Sequence, residues 1–186
     1  VWMFATLYDG LEKKRSWLKM AQSGSDFLEK NGHDGSFNWF FSLRRDGQPL
    51  VVPYNIFSYS FACMAMGKMH RITGEKKYKT AAQLTLKKII ERSDQPKGEW
   101  DKSYPKTRQL KNFALPMILC NLYNEMEGLV RADEKEERML DCVNEIFHFF
   151  WNEERGVILE NISPDGAFSD TFDGRLVNPG HGLEAM

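Results

Sequence analysis

Hydrophobic residues recur along this chain with a helical period, but they do so in two different ways. Residues 55–72 and 108–127 are apolar on nearly every side, as expected for helices that are buried on most sides. Residues 12–30, 75–93 and 133–151 are apolar on one face and polar on the other, which is typical of helices that cover a core. The pattern therefore predicts an all-α fold.

The order of these segments is a repeat of pattern rather than of sequence. From residue 55 onward a buried helix is followed by an amphipathic helix, and the same pair then follows again after a polar loop with Pro96, Gly98 and Pro105. An inner ring of helices wrapped by an outer ring, as in an α/α toroid, produces this order. An irregular all-α domain is the alternative that the pattern leaves open. Residues 2–8 predict a short helix end in front of the repeat.

Turn signals separate the helices and predict a few short strands. Asp46-Gly47 lies between the β-prone runs 36–43 and 48–52, which predicts a β-hairpin. Residues 156–162 predict a short strand that ends at the turn Ser163-Pro164-Asp165-Gly166. The strands are few and short, so they leave the predicted fold class unchanged.

Composition narrows the classes of partner. The 186 residues are enough for one domain with a sizeable core, and a formal net charge of -1 gives no field that attracts nucleic acid or an anionic membrane. No apolar run is long enough to span a bilayer. The three cysteines, Cys63, Cys120 and Cys142, lie far apart in apolar segments without zinc-ligand spacing. We expect buried, reduced thiols and a cytoplasmic location.

Both ends of the chain fall inside predicted helices. Val1 opens an apolar helical pattern without an initiating Met, and Met186 closes the chain just as the helix around His181 begins. We therefore expect this chain to be part of a longer protein.

Residues 178–184 carry the strongest candidate for chemistry. Pro179-Gly180 opens a turn and can start a helix, His181 follows at once, and Glu184 lies three residues later. On a helix this spacing puts the imidazole and the carboxylate on one face. Such a pair can move a proton near pH 7, although a helix start with a capping glutamate has the same pattern.

The same segment resembles the signature of a known family. Gly174-Arg175-Leu176-Val177-Asn178-Pro179-Gly180-His181-Gly182-Leu183-Glu184-Ala185 is similar to the corresponding stretch of the N-acylglucosamine 2-epimerases, also called renin-binding proteins. Further similar stretches follow in the family's order: Ile56-Phe57-Ser58, Thr73-Gly74-Glu75, Leu115-Pro116-Met117, and Glu160-Asn161 with Pro164-Asp165-Gly166. The resemblance therefore extends over nearly the whole chain.

This resemblance implies an (α/α)6 barrel, of which residues 1–186 would be an incomplete middle portion within one domain. It implies an isomerase that interconverts N-acetyl-D-glucosamine and N-acetyl-D-mannosamine, which places the protein in sialic acid metabolism. No cofactor is required, although ATP activates some family members without being hydrolysed. The implied partner is a small amino sugar, not nucleic acid or a membrane, and family members often form homodimers.

The resemblance also assigns roles at the site. His181 would be one of two histidines that act as acid and base at C2 of the sugar, and Glu184 would support it. The second histidine would lie beyond Met186, and a sugar-binding arginine would lie just before Val1. Tyr59 departs from the family, which usually has an acidic residue after Ile-Phe-Ser, so this inner-helix position bears on substrate preference or activity.

Three further residues are candidates for contact with the substrate, and each has a structural alternative. Arg175 either binds a sugar hydroxyl or braces its loop, and Asn178 either touches the ligand or holds the turn. Glu160 is a candidate to approach the cavity. Of the remaining histidines, we expect His33 to be exposed in a turn.

Other functions remain open alongside the epimerase. A mannose-type aldose–ketose isomerase on the same barrel would share the proton abstraction but return the proton to C1. A non-catalytic renin-binding-like protein would need no acid or base. A glycoside hydrolase would need two inward carboxylates at a defined separation, and no such pair stands out in the sequence.

Overall fold

The computed structural model describes residues 1–51, 55–94, 107 and 109–185, and over these residues the chain is mostly helical, as predicted. The helices are α1 (Trp2–Gly10), α2 (Arg15–Asn31), α3 (Ile56–Thr73), α4 (Lys76–Arg92), α5 (Ala114–Glu125), α6 (Ala132–Glu145) and α7 (Pro179–Glu184). The strands are β1 (Ser42–Leu43), β2 (Pro49–Val51), β3 (Lys111–Asn112), β4 (Trp151–Asn152), β5 (Val157–Ile158) and β6 (Asn161–Ile162).

The chain divides into two compact units. The first unit consists of Val1–Asp101 and Glu125–Arg131, and the second consists of Lys102–Asn124 and Ala132–Met186. Each unit has buried apolar side chains of its own.

The first unit is organised around α3, which packs against α1, α2 and α4. Asn55 caps its N-terminus by accepting a hydrogen bond from the backbone nitrogen of Phe57, and Gly74 ends it with a φ of 72°. Buried residues lie on all sides of the helix, which confirms the sequence pattern; they include Ile56, Cys63, Met64, Met66 and Met69. Truncating one buried methionine to alanine costs about 2–5 kcal/mol, so this helix contributes much of the unit's stability.

Some residues of the predicted apolar faces are exposed. Phe61 of α3 is 55% exposed and Ile90 of α4 is 47% exposed. The rest of α4 is amphipathic as predicted, with Tyr78, Ala82, Leu86 and Ile89 buried. The predicted helix over 12–30 begins only at Arg15, and the one over 2–8 is present as α1.

The predicted hairpin is present as β1 and β2, which pair in antiparallel fashion with an irregular register. Gly47 has a φ of 86°, a conformation that favours glycine, and its nitrogen donates to the carbonyl oxygen of Arg44. The side chain of Asp46 accepts from the nitrogen of Gln48 and closes the turn. The strands are shorter than the predicted runs.

The second unit has a core of buried side chains from α5, a π-helical turn, β6 and the segments next to them, namely Phe113, Met117, Ile146, Phe150, Leu159 and Ile162. The π-helical turn, Ile146–Phe150, follows α6 directly and buries Ile146 and Phe150. The prediction of one continuous helix over 133–151 is therefore wrong at its end, because the last turn widens and Trp151 enters β4.

The predicted helix over 108–127 is also wrong at its start. Lys111 and Asn112 form β3, which pairs with β6, and α5 begins only at Ala114. The side-chain oxygen of Asn112 accepts from the backbone nitrogen of Ala114, so this residue ends the strand and opens the helix.

The single strand predicted over 156–162 is two strands with different partners. β5 pairs with β4, whereas β6 pairs with β3. The chain therefore leaves one strand pair after Ile158 and enters the other at Asn161. Glu160 lies in the short link between β5 and β6. The turn that follows is present, with the nitrogen of Gly166 donating to the carbonyl oxygen of Ser163.

Some predictions lie outside the described residues. These are the loop with Pro96, Gly98 and Pro105, the strand position Val52 and the helix position 108. Within the described ranges, none of the helices combines the length and the apolar character that crossing a membrane requires.

Candidate active site

Glu160 is fixed by backbone contacts in the link between β5 and β6. The backbone nitrogen of Phe113 donates to the carbonyl oxygen of Glu160 at 2.9 Å, and Nδ2 of Asn112 donates to the same oxygen at 3.1 Å. The nitrogen of Glu160 donates to the carbonyl oxygen of Leu176 at 3.4 Å. The side chain of Glu160 is only 8% exposed, so its carboxylate lies within the second unit.

His181 is presented by α7, a helix that starts where the sequence predicts. The side-chain oxygen of Asn178 accepts a hydrogen bond from the nitrogen of Gly180 at 3.1 Å, and Pro179 occupies the first turn. At the other end, the nitrogen of Ala185 donates to the carbonyl oxygen of His181, and Ala185 packs against the core of the second unit. The short helix is therefore tied down at both ends.

The two side chains meet. Nδ1 of His181 lies 2.7 Å from Oε1 of Glu160, a distance typical of a hydrogen bond in which one partner is charged. The imidazole side chain is 33% exposed, whereas the carboxylate is buried. The ring centroid of Phe113 lies 6.3 Å from that of His181. An imidazole that is partly open to solvent and bound on one nitrogen by a buried carboxylate has the arrangement of a general acid or base.

The other predicted residues of this segment have different surroundings. Glu184 is exposed near the end of α7, and the carboxylate on the ring of His181 comes from Glu160 instead. Nη1 of Arg175 lies 2.7 Å from Oδ1 of Asp170 in an exposed ion pair, which fits a role in bracing the loop. Asn178 caps α7 and thereby holds the turn. The substrate contacts of these residues and the catalytic role of Glu184 stay predictions.

Tyr59 belongs to the first unit and is 1% exposed. Its hydroxyl lies 3.5 Å from Oδ1 of Asn38, and the guanidinium of Arg92 lies 4.8 Å from the centre of its ring. Burial raises the pKa of the Tyr59 phenol, although the charge of Arg92 opposes this. The ring therefore serves packing in this structure, and its contact with substrate stays a prediction.

A cavity of about 570 Å³ opens in the first unit. Its walls are apolar or hydroxyl-bearing side chains, among them Trp39, Phe40, Phe61 and Ser58. Among the described residues that line it, none has a side chain that acts as an acid or a base near neutral pH. Across the described residues there is also no group of three His, Cys, Asp or Glu that could hold a metal ion.

The pairing of His181 with Glu160 escaped the sequence analysis. Spacing on one helix pointed to Glu184, and Glu160 was predicted only as a candidate for contact with the substrate. The two partners are 21 residues apart, and what brings them together is the pairing of β3 with β6, which has no periodic signal. Two features of the sequence point to Glu160: it lies in the β-prone run 156–162 before the turn at Ser163, and Glu160-Asn161 is one of the stretches that resemble the family.

Several known proteins are similar to this chain in sequence or in structure. A bovine (Bos taurus) N-acylglucosamine 2-epimerase is 34% identical over all of this chain and 45% of its own length. The mouse (Mus musculus) N-acylglucosamine 2-epimerase is also 34% identical, over 46% of its length. The chain therefore spans less than half of the curated relatives it matches.

A solved structure, the cellobiose 2-epimerase of Bacillus thermoamylovorans, superposes with a TM-score of 0.74 over 89% of this chain and 47% of that one, at 13% identity. At this identity the likeness shows the fold alone, which is that of the (α/α)6 barrel and confirms the predicted fold class. Residues 1–186 match the family described as N-acylglucosamine 2-epimerase (GlcNAc 2-epimerase). The chain belongs to the N-acylglucosamine 2-epimerase family.

Proposed function

We propose that the full-length protein is an isomerase, a sugar 2-epimerase that interconverts N-acetyl-D-glucosamine and N-acetyl-D-mannosamine. The observation that carries this proposal is the contact of 2.7 Å between Nδ1 of His181 and Oε1 of Glu160. His181 lies within the segment that resembles the family's signature. The names of the bovine and mouse relatives support the choice of substrate class.

The reaction is an exchange of one proton at C2. In the open-chain sugar the hydrogen on C2 is α to the aldehyde carbonyl, so a base can remove it to give an enolate, and an acid returns a proton on the other face. The C2–H group is a weak carbon acid. The base that removes its proton therefore has to be effective near neutral pH, and the enolate oxygen needs a hydrogen-bond donor. Imidazole meets the first requirement at a partly exposed position such as that of His181.

In this proposal His181 acts on one face of the sugar. The second histidine, which the resemblance places beyond Met186, would act on the other face. Glu184 would support the acid–base pair, and Arg175 and Asn178 would contact hydroxyl groups. The chemistry as written needs neither a metal ion nor a redox cofactor.

We further propose a cytoplasmic enzyme of sialic acid metabolism that forms a homodimer and responds to ATP as an activator. Activity with a non-hydrolysable ATP analogue would separate activation from hydrolysis. Light scattering after size-exclusion chromatography would give the oligomeric state.

The test of the proposed function is product identification. Full-length protein is incubated with N-acetyl-D-mannosamine, and separately with N-acetyl-D-glucosamine, and the sugars are separated by chromatography. Both incubations should approach the same ratio of the two sugars. A ketose product would instead indicate the aldose–ketose isomerase. No conversion of either N-acetyl sugar, mannose or glucose would contradict an enzyme for these substrates and favour a binding role.

A further inference from the structure

We propose that Glu160 is a positioning residue that keeps the proton of His181 on Nδ1, so that Nε2 is the nitrogen that exchanges a proton with the sugar. The part of this inference that concerns the reaction rests on the proposed function. The part that concerns the location of the proton on the ring does not, and it can be tested without a substrate.

The chemistry of the contact determines which nitrogen carries the proton. An ionised carboxylate only accepts hydrogen bonds, so the atom that faces Oε1 of Glu160 has to be a donor. Nδ1 of His181 is that atom, at 2.7 Å. In a neutral imidazole only one nitrogen carries a hydrogen, so a donor at Nδ1 leaves a lone pair on Nε2.

The carboxylate of Glu160 is held in a position in which it can keep the proton of His181 on Nδ1. Its side chain is 8% exposed, and its backbone oxygen accepts from both Phe113 and Asn112. Asn112 also donates to the side-chain oxygen of Asn161 at 2.8 Å, in register with the pairing of β3 and β6. A buried carboxylate on a backbone anchored in this way has little freedom to turn away from the ring.

The loop that leads to His181 is bound to the same framework. The nitrogen of Glu160 donates to the carbonyl oxygen of Leu176, and Nδ2 of Asn161 donates to that of Asp173 at 3.0 Å. Gly174 lies so close to the carbonyl of Ser169 that any side chain at this position would clash. Hydrogen bonds therefore join the backbone around Glu160 to the loop that leads to His181.

The removal of the proton from C2 balances with these two groups. The lone pair on Nε2 of His181 takes the hydrogen from C2, and the electrons of the C–H bond move into the enolate between C1 and C2. The ring becomes an imidazolium, its Nδ1–H stays on Glu160, and the negative carboxylate stabilises the new positive charge. The acid on the opposite face then gives a proton to C2, which completes the inversion. In the reverse reaction Nε2–H of His181 gives its proton to C2, and the carboxylate is unchanged in both directions.

The first experiment locates the proton. Full-length protein is labelled with ¹⁵N in its histidines, and long-range ¹H–¹⁵N spectra are recorded without substrate at a pH at which the ring is neutral. The signals of His181 are assigned by their loss in His181→Asn. We expect a protonated Nδ1 and an unprotonated Nε2, which is the reverse of the usual preference of histidine in water.

Two variants change the hydrogen-bond acceptor at residue 160: one removes it, and the other makes it neutral. Glu160→Leu keeps a similar volume beside Phe113 and Leu159 but offers no acceptor, so the proton should move mainly to Nε2. Glu160→Gln keeps a neutral acceptor and the shape of the side chain, so the spectrum should remain closer to that of the wild type. Glu154→Gln, at an exposed glutamate of the same unit, is the matched control and should change nothing.

Kinetics with N-acetyl-D-mannosamine then test the consequence. General acid–base catalysis contributes about 10²–10⁴-fold to rate, so kcat should fall about 100-fold in Glu160→Leu, with Glu160→Gln between it and the wild type. KM should change little, because Glu160 acts through His181.

Two results would overturn the inference. One is a ring in Glu160→Leu that still carries its proton on Nδ1. The other is a rise in KM without a change in the ring's proton, which would show that Glu160 contacts the sugar. If the proton moves as expected but the wild type converts neither sugar, the positioning holds and the proposed reaction fails.

Discussion

The side-chain oxygen of Asn178 accepts a hydrogen bond of 3.1 Å from the backbone nitrogen of Gly180, one residue before His181. Because α7 has only six residues, this cap satisfies a large share of the free donors at its start. The position of the candidate base therefore depends on a hydrogen bond that contains none of its own atoms.

Replacing Asn178 with Ala should weaken α7 and displace His181. Loss of an N-cap costs about 1 kcal/mol, so we expect a fall of this size in the free energy of unfolding. We also expect a fall in kcat, because His181 would be displaced. Asn178→Asp keeps an acceptor at the cap and should preserve both quantities. A marked rise in KM in Asn178→Asp with unchanged stability would show that Asn178 binds the sugar, as the proposed function has it, in addition to capping α7. Urea unfolding and steady-state kinetics give both numbers.

A buried ion pair in the first unit should be sensitive to the loss of one partner. Nζ of Lys68 lies 2.9 Å from Oε2 of Glu125, and the two side chains are 8% and 14% exposed. Replacing Lys68 with Met would leave the carboxylate buried without its countercharge, which costs about 3–5 kcal/mol. The double variant Lys68→Met with Glu125→Leu should recover most of this loss in urea unfolding. Equal losses in the single and double variants would contradict this account of the pair.

Stability should decline in mildly acidic solution because of His33. Burial lowers the pKa of this residue below its ordinary value of 6.5, against the opposing charges of Asp34 and Glu29. Its Nδ1 accepts from the nitrogen of Gly35 at 3.0 Å, and its ring stacks on Phe37, so the folded loop favours the neutral form. As pH falls below 6.5, the unfolded chain takes up the proton first, and the folded state loses stability until the lowered pKa is passed.

The measurement for His33 is the free energy of urea unfolding at pH 7.5 and pH 5.0. The loss between these values should be greater in the wild type than in His33→Gln, which keeps a neutral side chain that does not titrate. The interpretation would be wrong if the two proteins lost stability equally.

The three thiols should differ in their reaction with iodoacetamide under native conditions. Burial raises the pKa of Cys63, and burial followed by the charges around it raises that of Cys142 to about 12. Cys120 is less buried, and its pKa is raised by burial as well. We expect slow modification in which Cys120 reacts before the other two, and uniform rates in urea, measured by peptide mass spectrometry. Fast labelling of Cys63 in the folded protein would be inconsistent with its burial.

The sequence predicted the helical part of the fold because periodicity is a local signal. The apolar surround of α3 and the single apolar face of α4 are both visible in the order of residues, and Asn55 and Gly74 mark the ends of α3. The strands could not be predicted in the same way. Asn112 pairs with Asn161, 49 residues away, and a strand of two residues has no period to detect.

The sequence likewise predicted one part of the candidate site, His181 and its cap, and missed the carboxylate that contacts it. His181 and its cap, Asn178, follow from the local order of Pro, Gly and His, and the structure places them as a helix start. The carboxylate that contacts His181 depends on a long-range strand pair, so helical spacing pointed to Glu184 rather than Glu160. His33 was predicted to be exposed in its turn, but its ring is partly buried against Phe37 and Trp39.

The most direct test of the central claim is deuterium exchange at C2 of N-acetyl-D-mannosamine in D₂O, followed by proton NMR. Full-length wild-type protein should remove the H2 signal as N-acetyl-D-glucosamine accumulates. His181→Ala should leave the H2 signal almost unchanged while retaining the circular dichroism spectrum of the folded protein. Exchange in His181→Ala at the rate of the wild type would contradict the assignment of His181 as the base.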